Sequence, residues 1–306
     1  MFLLLLSIGI SMEMKVASCI DISFIRMYIN YSKKPNPDLK SILLTHPALK
    51  AIMRHQNLNG VVNVNIEDTF KMMTKNKPDI DYLIKALHKI EKNSELCDLW
   101  KISAKILPKN FKFVGRIYFV FGYDIGAASP PDIIINLGHT KFIEHPNEIE
   151  PYIIHEIHHI GFLAYQKMPS LTQLEIKENL LKLIKWATQS EGMAVHAAYT
   201  YRKKHKLLKQ DHDYKVYFDE QAKKASVKQY SELLKKITTS RGKISNIDTI
   251  LCKMSSKERL WYKLGALISK KIVDEQGDAK LIESILNPQM FWTEAEMLLK
   301  GNSSVL

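Results

Sequence analysis

The chain has little cysteine, little glycine or proline, and almost no uninterrupted apolar sequence. Its three cysteines, Cys19, Cys97 and Cys252, stand far apart and form no Cys-x-x-Cys pair. That spacing argues against a disulfide-built domain and a cysteine-clasped metal site. Three lone thiols fit a reducing compartment, each read as a small buried hydrophobe. With 12 glycines and 11 prolines in 306 residues, and no internal repeat or low-complexity tract, collagen-like and solenoid classes are excluded. Apolar residues make up 46%, enough to bury a sizeable core in one large domain or two smaller ones. The longest apolar run, Phe2-Leu3-Leu4-Leu5-Leu6-Ser7-Ile8-Gly9-Ile10, is too short to span a bilayer.

That run resembles the apolar part of a signal peptide, but no positive residue precedes it, and Glu13 and Lys15 follow. Val16-Ala17-Ser18-Cys19 has the form of a lipoprotein cleavage box, separated from the run by those charges. A start at Met12 or Met14 would leave the run out. A cytoplasmic protein is the favoured expectation, with export or lipid anchoring as the alternative; residues 1–19 stand apart as a signal-like or misassigned start.

What the chain has in excess is lysine. Lys and Arg number 44 against 32 acidic residues, a net charge of +12 spread along the sequence. Bidentate recognition of phosphate would favour Arg over Lys. The densest group, Arg202-Lys203-Lys204-His205-Lys206 with Lys209, reads as the solvated C-terminal end of a helix, where cations suit the dipole. No aromatic interleaving accompanies it, so nucleic acid is a disfavoured partner.

The chain states a chemistry at one place: His155-Glu156-Ile157-His158-His159, which contains H-E-x-x-H. On a helix, residues four apart share a face, so His155 and His159 can offer two imidazoles to one metal ion. Glu156, one residue on, can reach a water on that metal, which is the zinc-peptidase reading of the motif. The bland alternative is a solvated helix face. Against it stand the apolar flanks Tyr152, Ile153, Ile154, Ile157, Ile160, Phe162 and Leu163, which predict a largely buried helix. Asn147 is its expected cap, with Glu148 and Glu150 in the first turn. His158 lies about 60° off the ligand direction and is read as a supporting or exposed residue.

A catalytic zinc site needs a third protein ligand. Position 162 is Phe and 165 is Tyr, which excludes H-E-x-x-H-x-x-G-x-x-H. A following helix over 172–201 is predicted by Ile176, Leu180, Leu183, Ile184 and Ala187, and near its end comes Ser190-Glu191-Gly192-Met193-Ala194. Gly192 weakens a helix and needs a reason, which close approach to the metal-bearing helix supplies. Glu191 is therefore the expected third ligand, with Glu175, Glu178 and His196 as rivals.

The motif His155-Glu156-Ile157-His158-His159, followed by a helix bearing Glu191-Gly192-Met193-Ala194, resembles the gluzincin branch of zinc metallopeptidases. It is similar in particular to a group of zinc-dependent peptidases whose core reads H-E-x-H-H. Tyr262-Lys263-Leu264-Gly265, Gly277 and Asn287-Pro288 add to that resemblance, which covers roughly residues 130–295. It implies a zincin-like core with His155, His159 and Glu191 on Zn²⁺, Glu156 as catalytic base, and a peptide or protein substrate. It also favours Tyr262 as a second catalytic residue, whose hydroxyl would face the oxyanion; a core tyrosine is the competing reading.

The expected fold class is α+β, mostly helical, with a small sheet before the metal helix. A helical region over 20–110 precedes a catalytic region over 111–306. Helices are predicted at 21–31, 38–56 with a break at Pro47, 66–75 and 79–106, with Met72, Met73 and Tyr82 as core. Strands are predicted at 116–121 and 132–137 with a loop at 126–131 between them, and residues 134–137 are proposed as an open edge for an extended peptide. His139 is a weaker candidate for substrate contact. Ser255-Ser256-Lys257-Glu258 resembles a capping box opening a helix that Gly277 closes. Two other functions compete with the peptidase: a metal-binding protein without catalysis, and a basic helical nucleic-acid binder.

Overall fold

Apolar residues spaced three and four apart become helices, and two isoleucine-rich segments become the middle of one small sheet. The computed structural model describes residues 19–61, 63–75 and 78–301. The apolar run at 2–10 and residues 16–18 of the cleavage-box pattern lie outside them. The fold is α+β and mostly helical. In chain order the first elements are β1 (Ile20–Asp21), α1 (Ser23–Lys33), α2 (Pro37–Thr45), α3 (Pro47–Leu58), α4 (Ile66–Lys75), α5 (Ile80–Lys92) and α6 (Trp100–Ser103). Next come β2 (Ile117–Val120), β3 (Gly126–Ser129), β4 (Asp132–Asn136), α7 (Thr140–Glu144) and α8 (Ile149–Leu163). The rest is helical: α9 (Lys177–Lys204), α10 (Glu220–Thr238), α11 (Ile247–Ser255), α12 (Leu260–Gln276), α13 (Asp278–Leu286) and α14 (Pro288–Gly301).

Contacts divide the chain into two units. The first holds the described residues up to Leu99 together with Phe113–Ile153; the second holds Trp100–Lys112 and the residues from Ile154 on. The boundary falls inside α8.

In the first unit, sequence punctuation sets the helices. Pro37 and Pro47 occupy the first turns of α2 and α3, where a missing N–H costs nothing. Asn36 caps α2 through the Leu39 N–H, and Asp79 caps α5 through the Tyr82 N–H. The helix expected over 79–106 stops at Lys92. There the Asn93 side chain accepts the Glu95 N–H at 3.1 Å, an alternative to continuing the ladder. Met73 is buried as expected, whereas Met72 is exposed. Phe24 and Tyr28 of α1 pack on Phe121, with ring centroids 5.8 and 3.8 Å apart.

The sheet order is β1-β2-β4-β3, with β1, β2 and β4 parallel and β3 antiparallel to β4. Two expectations are corrected here. Residues 126–129 form a strand rather than a loop, because pairing to the isoleucines of β4 overrides the weak strand propensity of Gly126-Ala127-Ala128-Ser129. Consequently β4 is an interior strand, hydrogen-bonded on both sides, and residues 134–136 offer no open edge. The outer strand beside β4 is β3, tied to α3 by the Ser129 hydroxyl donating to the Ala51 carbonyl at 2.7 Å.

Cysteine usage is also corrected. Cys19 and Cys97 form a disulfide across 78 positions, and Cys252 is exposed rather than buried. Wide sequence spacing hid the pair because the fold brings the start of β1 beside the turn at Leu96–Asp98. The intact mass of non-reduced protein should be lower than that of the all-thiol chain by two hydrogens. Cys97→Ser should cost about 2–5 kcal/mol in denaturant unfolding, since the crosslink closes a long loop. An unchanged midpoint with full thiol titration would refute the bond.

His46 caps α3 through its side chain. Its Nδ1 accepts the Ala48 N–H at 3.1 Å, and Nε2 lies 2.8 Å from the Ser23 hydroxyl. Burial lowers its pKa below the ordinary 6.5, and nearby Asp21 only partly opposes this. A lowered histidine favours the fold while neutral, so its contribution is complete above the unfolded value and is lost as pH falls below it. His46→Asn keeps an acceptor but cannot titrate, and should flatten the acid limb of stability against pH below about 6.5. Parallel curves for variant and wild type would exclude His46 as the cause.

The second unit is built around α12, which packs most extensively on α9 and also meets α10, α11, α13 and α14. Gly277, at φ 84°, closes α12 with its N–H on the Val273 carbonyl. The capping box at 255–258 does not form, since Ser255 ends α11 with its hydroxyl on the Leu251 carbonyl. The α9 helix opens at Lys177 rather than 172, and Ser170 and Thr172 pair with each other instead. Arg202 departs from the solvated cluster. It is 2% exposed, paired with Asp211 at 3.4 Å and stacked over the Tyr214 ring. Among the described residues no helix is long and apolar enough to cross a membrane.

Candidate metal centre

The helix α8 is buried almost throughout from Ile153 to Phe162, as its apolar sequence requires. Its expected cap is corrected. Asn147 lies within a 3₁₀ turn (Pro146–Glu148), and its side chain accepts from the Lys89 ammonium at 2.9 Å. One turn of α8 carries His155 and His159, whose Nε2 atoms are 3.0 Å apart. From α9, Glu191 Oε2 stands 3.3 Å from His155 Nε2 and 3.0 Å from His159 Nε2. These three residues are a group able to hold one metal ion among the described residues.

The donor set fits zinc. Two ligand atoms on a tetrahedral zinc at about 2.0–2.1 Å stand about 3.3 Å from each other. The three observed separations are close to that edge. His159 Nδ1 lies 3.0 Å from the Ser190 hydroxyl, a contact that holds the ring with its Nε2 facing the cluster. Ser190 was not foreseen, although its place just before Glu191 was a signal.

Electrostatics bind the trio together. Burial pushes the His155 imidazole down to about 4, which keeps it neutral and able to ligate. Burial would also lower His159, but Glu191 outweighs it and the net shift is upward. Burial raises Glu191, and His159 and His155 overcome that to hold it an ionised carboxylate. Glu156 is 6% exposed and close enough to His159 to favour its charged form.

The other candidates lie elsewhere. Glu175 pairs with Lys243 at 3.4 Å, and Glu178 is exposed in the first turn of α9. His196 packs against Tyr199 and lies 3.3 Å from the Tyr217 hydroxyl. His158 is fully buried beside Phe162, with neither ring nitrogen hydrogen-bonded. His139 caps α7 by accepting the Lys141 N–H. Tyr262, by contrast, joins the group: its ring stacks near-parallel to that of His155, with centroids 6.4 Å apart.

A glycine pair sets the spacing of these helices. A methyl added at Gly192 would overlap the Gly265 backbone, and one at Gly265 would overlap the Thr188 carbonyl. Close approach was the expected reason for Gly192, but its partner is α12 and not the metal-bearing helix. With a family model described as "Putative zinc dependent peptidase (DUF5700)", residues 18–294 match. The chain belongs to this family. The match includes α8, α9 and α12, so all of the residues above fall inside it. No curated protein and no solved structure matches the chain.

Gly265→Ala should cost about 3 kcal/mol or more, because the new methyl meets backbone rather than a side chain that can turn away. It should also weaken metal binding, since separating α9 from α12 displaces Glu191. Wild-type stability and metal content in this variant would show that the crossing has slack.

Proposed function

We propose that the protein is a zinc metallopeptidase of the gluzincin type, with a zincin-like catalytic core within residues 111–306. The convergence of His155 Nε2, His159 Nε2 and Glu191 Oε2 within 3.3 Å carries this reading. These three residues would hold Zn²⁺, leaving a fourth position open. Bound there, the metal would supply Lewis acidity and lower the pKa of a water toward about 7. Glu156 takes a proton from the attacking water and delivers it to the leaving amine. The Tyr262 hydroxyl donates to the oxygen of the scissile carbonyl as charge develops there. Burial raises the pKa of Tyr262, so it remains a donor through the neutral range. The substrate is a peptide or protein. The Cys19–Cys97 disulfide supports work in an oxidising compartment, against the cytoplasmic expectation.

Elemental analysis of protein purified without a metal-affinity tag should give about one zinc per chain, lost in His159→Ala and Glu191→Ala. Glu156→Gln should keep the zinc and reduce cleavage of a peptide library by about 10²- to 10⁴-fold. Wild-type zinc with no cleavage of any peptide would favour a metal-binding protein without catalysis. Absence of zinc even after reconstitution would remove the proposal.

A further inference from the structure

Arg259 stands just before α12 in the left-handed conformation, φ 52° and ψ 44°. A side chain there costs about 1 kcal/mol or more, so the surroundings must hold it. They do so through Asp213, whose side chain is almost wholly buried. Arg259 Nε donates to both Asp213 oxygens at 2.8 Å, and its second terminal nitrogen lies 2.7 Å from Oδ2. Its first terminal nitrogen donates to the Ser255 carbonyl at 3.3 Å. Asp213 is fixed in turn, its N–H donating to Asp211, which also pairs with the buried Arg202.

This clamp fixes where the guanidinium lies. Its carbon is 3.7 Å from the centroid of the Tyr262 ring, in direct cation–π contact. Tyr262 is three residues further on, in the first turn of α12, and its ring runs within 22° of the His155 plane. The same cation acts on His155, so it stands within electrostatic range of the metal centre. A planar guanidinium can grip Asp213 with its edge while its face covers a ring, which an ammonium cannot do.

We propose that Arg259, clamped by Asp213, is the positioning residue that holds the Tyr262 ring beside His155. Its catalytic consequence rests on the peptidase reading, because the ring matters to turnover only if its hydroxyl serves the substrate carbonyl. The left-handed backbone at Arg259 is the cost of aiming the side chain back over the first turn of its own helix.

The test uses the zinc-loaded full chain labelled with 3-fluorotyrosine, the Tyr262 resonance being assigned by its loss in Tyr262→Phe. Arg259→Gly relieves the backbone conformation and removes the guanidinium, and Asp213→Asn removes the clamp; both should shift or split that resonance with zinc content unchanged. Arg259→Lys keeps the charge and loses the fork, and stands in if the glycine variant fails to fold. With casein as substrate, kcat should fall by about 10- to 100-fold while KM stays within about twofold, as expected for a misplaced group rather than lost binding. The Arg259→Gly, Tyr262→Phe double variant should be no slower than Tyr262→Phe alone. An unmoved resonance in these variants, or fully additive losses in kcat, would overturn the proposal. If zinc-loaded wild type cleaves nothing, the peptidase reading falls while the resonance still decides the positioning role.

Discussion

The crossing of α9 and α12 at Gly192 and Gly265 is the constraint on which the site depends. Backbones that touch without side chains between them leave no freedom in the distance between their helices. Glu191 is the residue before one glycine, and Tyr262 lies one turn before the other. Two groups from separate helices are thus placed relative to each other by backbone contact, which is stiffer than any side-chain packing. The lost helix propensity of two glycines is small against what would follow from a displaced ligand.

Within that frame, the trio holds together because its charges answer each other. Burying Glu191 alone would favour its neutral form, and burying either histidine would favour the neutral imidazole. Side by side, His159 and Glu191 reverse that preference while His155 stays neutral. Ser190 holds the other ring nitrogen of His159 and so fixes the orientation of the ring. Arg259 and Asp213 balance differently: burial raises the Asp213 pKa, the guanidinium beside it only partly opposes this, and the face of that cation is used elsewhere.

Much of the site was legible because its chemistry follows helical periodicity. The meeting of His155 and His159 follows from spacing alone; Glu191 joins them from α9, although the glycine after it packs on α12 and not on the metal-bearing helix. Arg259 and Asp213 were not legible, since they are 46 positions apart and meet only through the fold. The predominance of helix was likewise readable from apolar periods, and Gly277 from its place after the last of them. The sheet was read less well. Strand β3 has the composition of a loop, and only its partner makes it a strand. Missing β3 turned the interior strand β4 into a supposed edge. Caps failed for a related reason: Asn147 and Ser255 have the right chemistry, but their side chains found other partners nearby.

The disulfide has a consequence for the pattern Val16-Ala17-Ser18-Cys19. A thioether sulfur and a disulfide sulfur each have two covalent neighbours. In Cys19 these are its own Cβ and the sulfur of Cys97. Attachment of a diacylglycerol would claim the same valence. The two fates of Cys19 are therefore mutually exclusive in any one molecule. A lipidated chain would carry Cys97 as a thiol and leave the start of β1 without its covalent tether, so membrane attachment through this residue and the crosslinked first unit describe different molecules.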